Sequence, residues 1–84
     1  MTVRILYFAG LRDAVGRADE SMVLPSGVGT IGELQSFLAD RGGDWEALSP
    51  GRSVRVARNQ RMVQAGETVT PGDEVAFFPP VTGG

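Results

Sequence analysis

The reactive group offered by this sequence is a backbone carboxylate rather than a side chain. The chain ends Pro79-Pro80-Val81-Thr82-Gly83-Gly84. Proline confines its own φ and pushes the residue before it into extended backbone, so Phe78 and Pro79 are not expected to turn back into a helix. Two residues without amide donors also end the hydrogen-bonded pairing of the strand before them. At about 3.3–3.6 Å per residue, the segment 79–84 is expected to stand off the body by about 20 Å. Its tip is two residues of bare backbone width, able to carry the α-carboxylate of Gly84 down a narrow channel in another protein. Glycine at a chain end by itself signals only looseness; the double proline after a strongly apolar strand is what sets this end apart.

Composition removes most other chemistry. The chain has no Cys and no His, and its eight basic residues are all Arg. Disulfides, a cysteine nucleophile, a Ser-His relay and ordinary zinc or haem sites are therefore excluded, as are a Schiff-base lysine and a P-loop ammonium. Ten acids against eight bases give a net charge of −2, which argues against a nucleic-acid partner. With 84 residues, 42% hydrophobic and 21% charged, the expectation is one globular domain with a modest core. No run approaches the roughly 20 apolar residues that cross a bilayer, and the start has neither a basic segment nor a cleavable apolar one. No membrane association is expected, and the expected compartment is the cytoplasm.

The elements that must position this tail are short. Val3 to Phe8 reads as a central strand, with Val3, Ile5 and Tyr7 on one face and Leu6 and Phe8 on the other. Ala9 to Gly16 reads as a loop with at most one helical turn, and Glu20 to Leu24 as a second strand. Thr30 followed three residues later by Glu33 is a capping box, and Ile31, Leu34, Phe37 and Leu38 form an apolar stripe that Gly42-Gly43 ends. Arg41 there suits the negative end of the helix dipole, and Trp45 is the expected anchor of a short turn over 44–48. Arg52 to Arg58 alternates as a half-buried strand, Asn59-Gln60 is a turn, Met62-Val63 a short return, and Glu74 to Phe78 the last strand. This predicts an α+β domain over residues 1–78, a mixed sheet with one main helix packed across it, and an extended tail over 79–84.

Val75-Ala76-Phe77-Phe78-Pro79-Pro80-Val81-Thr82-Gly83-Gly84, preceded by Pro71-Gly72-Asp73-Glu74, resembles the C-terminus of the MoaD family, the small sulfur-carrying subunits of molybdopterin synthase. Leu6-Tyr7-Phe8-Ala9-Gly10-Leu11-Arg12-Asp13 resembles that family's first strand and the loop after it, and Val56-Ala57-Arg58-Asn59-Gln60 its third-strand exit. Arg58 departs from the apolar residue usual there. The resemblance implies a ubiquitin-like β-grasp fold and a chain that is not an enzyme by itself. It implies that a ubiquitin-activating-like adenylyltransferase joins AMP from ATP to Gly84, and that a sulfur donor protein then displaces AMP to leave a thiocarboxylate. The large subunit, in a heterotetramer of two small and two large chains, would accept Pro79, Pro80, Val81, Thr82 and Gly83 in its active site and pass the sulfur to a pyranopterin precursor. No stably bound cofactor and no metal is implied. Alternatives are a related carrier for thiamine or cysteine biosynthesis, or a ubiquitin-like binding module that moves no sulfur.

Phe78, Met62, Leu6 and Phe8 are the candidate partner-binding residues. Phe78 is expected opposite the buried parity of Val75 and Phe77, beside the tail, where aromatic anchors favour interfaces. Leu6 and Phe8 would otherwise be plain core. Gly27-Val28-Gly29-Thr30-Ile31-Gly32 matches a dinucleotide-binding pattern, but its third glycine lies in the first turn of the helix and the chain cannot build the larger sheet which that pattern needs. Arg52, Arg55, Arg58 and Arg61 read as a solvated face, or more sharply as a rim complementary to acidic groups on a partner. Asp19-Glu20 and Asp73-Glu74 are neighbours whose side chains point apart, so neither is an acid–base pair.

Overall fold

The computed structural model describes residues 2–79. Strand β1 (Thr2–Tyr7) is followed by helix α1 (Ala9–Val15), strand β2 (Asp19–Val23) and helix α2 (Ile31–Ala39). Two 3-10 turns (Gly43–Leu48 and Pro50–Arg52) lead to β3 (Arg55–Arg58), β4 (Arg61–Val63) and β5 (Glu74–Phe78). The sheet order is β2-β1-β5-β3-β4, with β1 parallel to β5 and the other pairs antiparallel. One helix crossing a mixed sheet in which first and last strands lie side by side is the ubiquitin-like β-grasp arrangement. No helix of the described residues is long and apolar enough to cross a membrane.

Strand alternation sorts the residues of the sheet between two faces. Val3, Ile5 and Tyr7 of β1, Val75 and Phe77 of β5 and Val56 of β3 turn to the helical side, where Leu11, Ile31, Leu34, Leu38 and Leu48 close the core. Helix α2 starts as its capping box requires: Thr30 Oγ1 accepts from the Glu33 amide at 3.2 Å, and Glu33 Oε1 accepts from the Thr30 amide at 3.1 Å. Gly42 and Gly43, both at positive φ, follow its end. Asn59 and Gln60 also sit at positive φ (51° and 71°), the conformation that a two-residue hairpin turn demands.

Five local expectations are corrected, the first being that β3 begins at Arg55 rather than Arg52, since Pro50–Arg52 forms a 3-10 turn and Ser53 takes φ 58°. Ala9–Val15 is a helix rather than a loop: Leu11 is drawn into the core, and Gly16, at φ 76°, caps the helix with its amide on the Arg12 carbonyl. Punctuation by Gly10 and Gly16 hid this, because Gly16 ends a helix rather than bounding a loop. Phe37 falls off the buried stripe and is 39% exposed; Gln35 is buried instead, its Nε2 donating to the Leu48 carbonyl at 2.8 Å. Leu48, fully buried, anchors the segment after α2, whereas Trp45 is only partly covered. Arg41 lies beyond the last turn of α2, with its guanidinium 4.3 Å from the Trp45 ring centroid and 2.8 Å from Glu20 Oε1.

Candidate functional site

Among the described residues, the second face of the sheet carries no helix. Register fixes who meets there: Leu6 lies opposite Ala76, Ala76 opposite Ala57, Ala57 opposite Met62, and Arg55 opposite Phe78. Phe8, just past β1, keeps strand pairing through its amide to the Phe77 carbonyl at 3.1 Å. Ala9 then takes φ 50°, a left-handed conformation uncommon outside glycine and Asn or Asp, so the chain turns sharply into α1 right after Phe8. Phe8 and Phe78 stack with centroids 4.8 Å apart and planes 5° from parallel. Phe8 remains 40% exposed and Met62 56% exposed, large values for apolar side chains on one small face.

These groups border a cavity of about 480 Å³ whose lining includes Leu6, Phe8, Ala57, Met62, Ala76 and Phe78. All four candidate partner-binding residues are therefore brought onto a single surface, although they come from β1, its extension, β4 and β5. Ala57 and Ala76 form the floor, and the sequence reading missed them. Alanine is depleted in strands, and two of them opposite large apolar neighbours make a hollow; that juxtaposition depends on register, which no local pattern displays. Pro79 follows Phe78 directly and is half-buried, with no strand pairing. Pro80, Val81, Thr82, Gly83 and Gly84 lie outside the described residues.

One ion pair lies at the far side of this face, Arg4 Nη2 at 3.5 Å from Asp19 Oδ2; Glu74, opposite Arg4 in register, lines the cavity. Glu20, next to Asp19, points to the opposite face. It accepts from the Tyr7 hydroxyl at 2.8 Å, from Arg17 at 2.7 Å and from Arg41 at 2.8 Å. Partial burial raises the Glu20 pKa, but the hydrogen bonds from Tyr7 and Arg41 and the two guanidinium charges outweigh it and hold the carboxyl below its ordinary value. Burial above all, and then Glu20, push the Tyr7 phenol well above its ordinary value. The cluster, closed by the Tyr7–Trp45 edge contact at 5.5 Å, ties β1, β2 and the segment after α2 together on the helical side of the sheet.

The glycine pattern at 27–32 is occupied by the protein itself. The Ile31 and Gly32 amides donate to the Glu67 and Ala65 carbonyls, each at 2.9 Å, and the Gly29 and Thr30 amides donate to Glu33. The donors that would cradle a phosphate are thus already spent within the fold. Gly32 is favoured by packing, since a Cβ there would stand 3.1 Å from the Ala65 Cβ. Arg58, the departure from the family pattern, lies beside the loop that bears Thr68 and Glu67: it donates to the Thr68 carbonyl and its guanidinium is 3.8 Å from Glu67. Asp73 accepts from the Thr70 amide at 2.9 Å and the Asn59 amide side chain at 3.0 Å, which fixes the turn feeding β5. Among the described residues, no group of three or more His, Cys, Asp or Glu side chains could hold a metal ion.

The ThiS family model matches residues 5–84. The molybdopterin synthase sulfur carrier subunit of Haemophilus influenzae is 37% identical over 83 residues, 98% of this chain and 99% of its own. That of Escherichia coli is 34% identical over 82 residues, again 98% and 99%. Among solved structures, SAMP1 from Haloferax volcanii superposes with a TM-score of 0.76 at 27% identity, covering 100% of both chains. Matched along nearly its whole length, the chain belongs to the ThiS family, among the molybdopterin synthase sulfur carrier subunits.

Proposed function

We propose that this chain carries sulfur on Gly84 for a molybdopterin synthase, with the uncovered sheet face as its docking surface and no catalysis of its own. A carboxylate is a poor acyl donor, so the first step is attack of Gly84 on ATP. It forms the acyl-adenylate and releases pyrophosphate, and a ubiquitin-activating-like enzyme provides the machinery. A sulfur donor protein then delivers sulfur at the sulfide level, the C–S bond forming as the acyl–phosphate bond breaks and AMP departs, which leaves a terminal thiocarboxylate. That group is anionic at neutral pH and a soft nucleophile, the part that a cysteine thiolate usually plays; a chain without cysteine acquires it on its backbone. On the large subunit, the sulfur attacks the pyranopterin precursor and hydrolysis of the acyl group returns the carboxylate, so a dithiolene consumes two loaded carriers.

The observation that supports this most is the delivery of Phe78. Strand β5, paired on both sides, sets Phe78 against Phe8 on the uncovered face and passes directly into Pro79-Pro80-Val81-Thr82-Gly83-Gly84. A partner that grips this face has the root of the tail fixed in its grasp. The test is intact mass after incubation with ATP, the activating enzyme and the sulfur donor. The expected gain is one sulfur less one oxygen, confined to Gly84, and a chain truncated after Val81 should gain nothing. An unchanged mass for the full chain under conditions that load the Escherichia coli relative would leave only a binding module.

A further inference from the structure

Beyond Met62 lies a second hollow. About 450 Å³ opens at the β3–β4 side of the sheet, bordered by Gln35, Pro50, Arg55, Val56, Met62 and Val63. Met62 borders both cavities, so the second hollow, on the helical side of Val56 and Val63, meets the docking face at the short strand β4. Arg55 carries the one formal charge on the lining of this second hollow. Of the eight arginines, Arg4, Arg17, Arg41 and Arg58 each have an acidic partner; Arg12, Arg52, Arg55 and Arg61 have none among the described residues, and of these Arg55 lies in register with Phe78 at the root of the tail.

We propose that this hollow is a subsite for a carboxylate of the partner protein. On that view an extended segment of the large subunit passes Met62 from the first cavity, where Glu74 disfavours a further carboxylate, and places an Asp or Glu side chain on Arg55. The inference rests on the docking reading above. An apolar face alone is poor at excluding wrong partners, whereas a guanidinium that stays unpaired in the free protein favours a surface that brings a carboxylate and penalises one that brings a cation. Arg55 thereby selects the partner and steers its approach, and the neutral Gln35 leaves the charge uncompensated until docking. At the far edge of the face Arg4 already holds Asp19.

The absence of lysine from the sequence makes a direct test available. In Arg55→Lys the introduced amine is the only side-chain amine of this chain, so a carbodiimide can join it to a carboxylate within bonding distance, forming an amide as the carbodiimide takes up the oxygen, and peptide mapping separates that link from any made by the partner's own amines. Expected is one cross-link from position 55 to an Asp or Glu of the large subunit, while Ser36→Lys, on the exposed side of α2, yields none. In parallel, Arg55→Gln should slow association about three- to tenfold at low ionic strength and flatten its salt dependence. Ser36→Glu, which changes the net charge equally, should do neither. Absence of the position-55 cross-link in a complex that does form, or equal kinetics for Arg55→Gln and Ser36→Glu, overturns the carboxylate subsite and leaves the docking face standing. Failure of the unaltered chain to bind the large subunit overturns both.

Discussion

Phe78→Ala separates docking from folding, because the ring is shared about equally between them. In the free protein Phe78 is half-buried and stacked on Phe8. The stack is worth about 0.5–1.5 kcal/mol, and half of the roughly 2–3 kcal/mol of a fully buried Phe adds about 1 kcal/mol. A loss of about 2 kcal/mol follows, which for a domain of this size lowers Tm by roughly 8–16 °C. On docking, the exposed half would be covered at the centre of a contact whose neighbours exclude water. Anchors of that kind cost about 2 kcal/mol or more on truncation, or roughly 30-fold in Kd. Calorimetric titration against the large subunit at 25 °C, with thermal unfolding by circular dichroism alongside, reads both quantities. Phe37→Ala is the matched control: this Phe is 39% exposed on α2, across the sheet from the docking face, so it should lower Tm without moving Kd. Equal loss of affinity in the two variants, or a Phe78→Ala affinity within threefold of the parent, would refute the placement of the docking surface.

Gly84→Ala should be adenylated and thiolated far more slowly with an unchanged Tm, because a Cβ widens a tip that must pass where only backbone fits; equal turnover by the activating enzyme counts against it. Glu20 has a folded pKa below its unfolded value of about 4.3, so the stability it contributes is complete above that pH and is lost as pH falls through the lower folded value. Urea midpoints at pH 7 and pH 3 should therefore differ less for Glu20→Gln than for the parent. Tyr7, the single tyrosine, should show no phenolate absorbance as pH passes 10 while the protein stays folded, since its pKa is raised; a normal titration would contradict the buried hydroxyl. Gly32→Ala improves helix propensity by up to about 1 kcal/mol yet forces a Cβ to within 3.2 Å of the Ala65 carbonyl oxygen. That backbone oxygen also accepts the Gly32 amide, so it cannot give way cheaply, and a net Tm decrease is expected.

What the sequence displays well is anything decided within a few residues. The capping box at Thr30 and Glu33, the hairpin turn at Asn59-Gln60 and the bounds of β5 are local, and each stands where expected. Parity within a strand is local too: Tyr7 buried and Phe8 exposed, Phe77 buried and Phe78 only half so. The helix α1 and the exposure of Phe37 were hidden because each depends on which distant surface is available to cover it. Leu11 makes a helix worthwhile only if a core lies beneath it, and the α2 stripe shifts toward Gln35 only because the Leu48 carbonyl is there to accept its amide. The hollow floored by Ala57 and Ala76 is of the same kind, a product of register between β3 and β5.

The two adjacent phenylalanines show why one small sheet can hold both a core and a docking surface. Phe77 is fully buried and stacks at 6.2 Å on Tyr7; Phe78 stacks at 4.8 Å on Phe8. Each ring pair joins β1 to β5, one above the sheet and one below. A slip of one residue in that pairing would exchange them, placing Phe77 in water and Phe78 in the core. Pairing of β5 with both β1 and β3 opposes such a slip, and so fixes the face from which the tail departs. Core stability and tail presentation are thus set by one register, while substitutions on the outer pair leave the inner pair in place. This is why a docking variant such as Phe78→Ala should remain folded well enough to be measured.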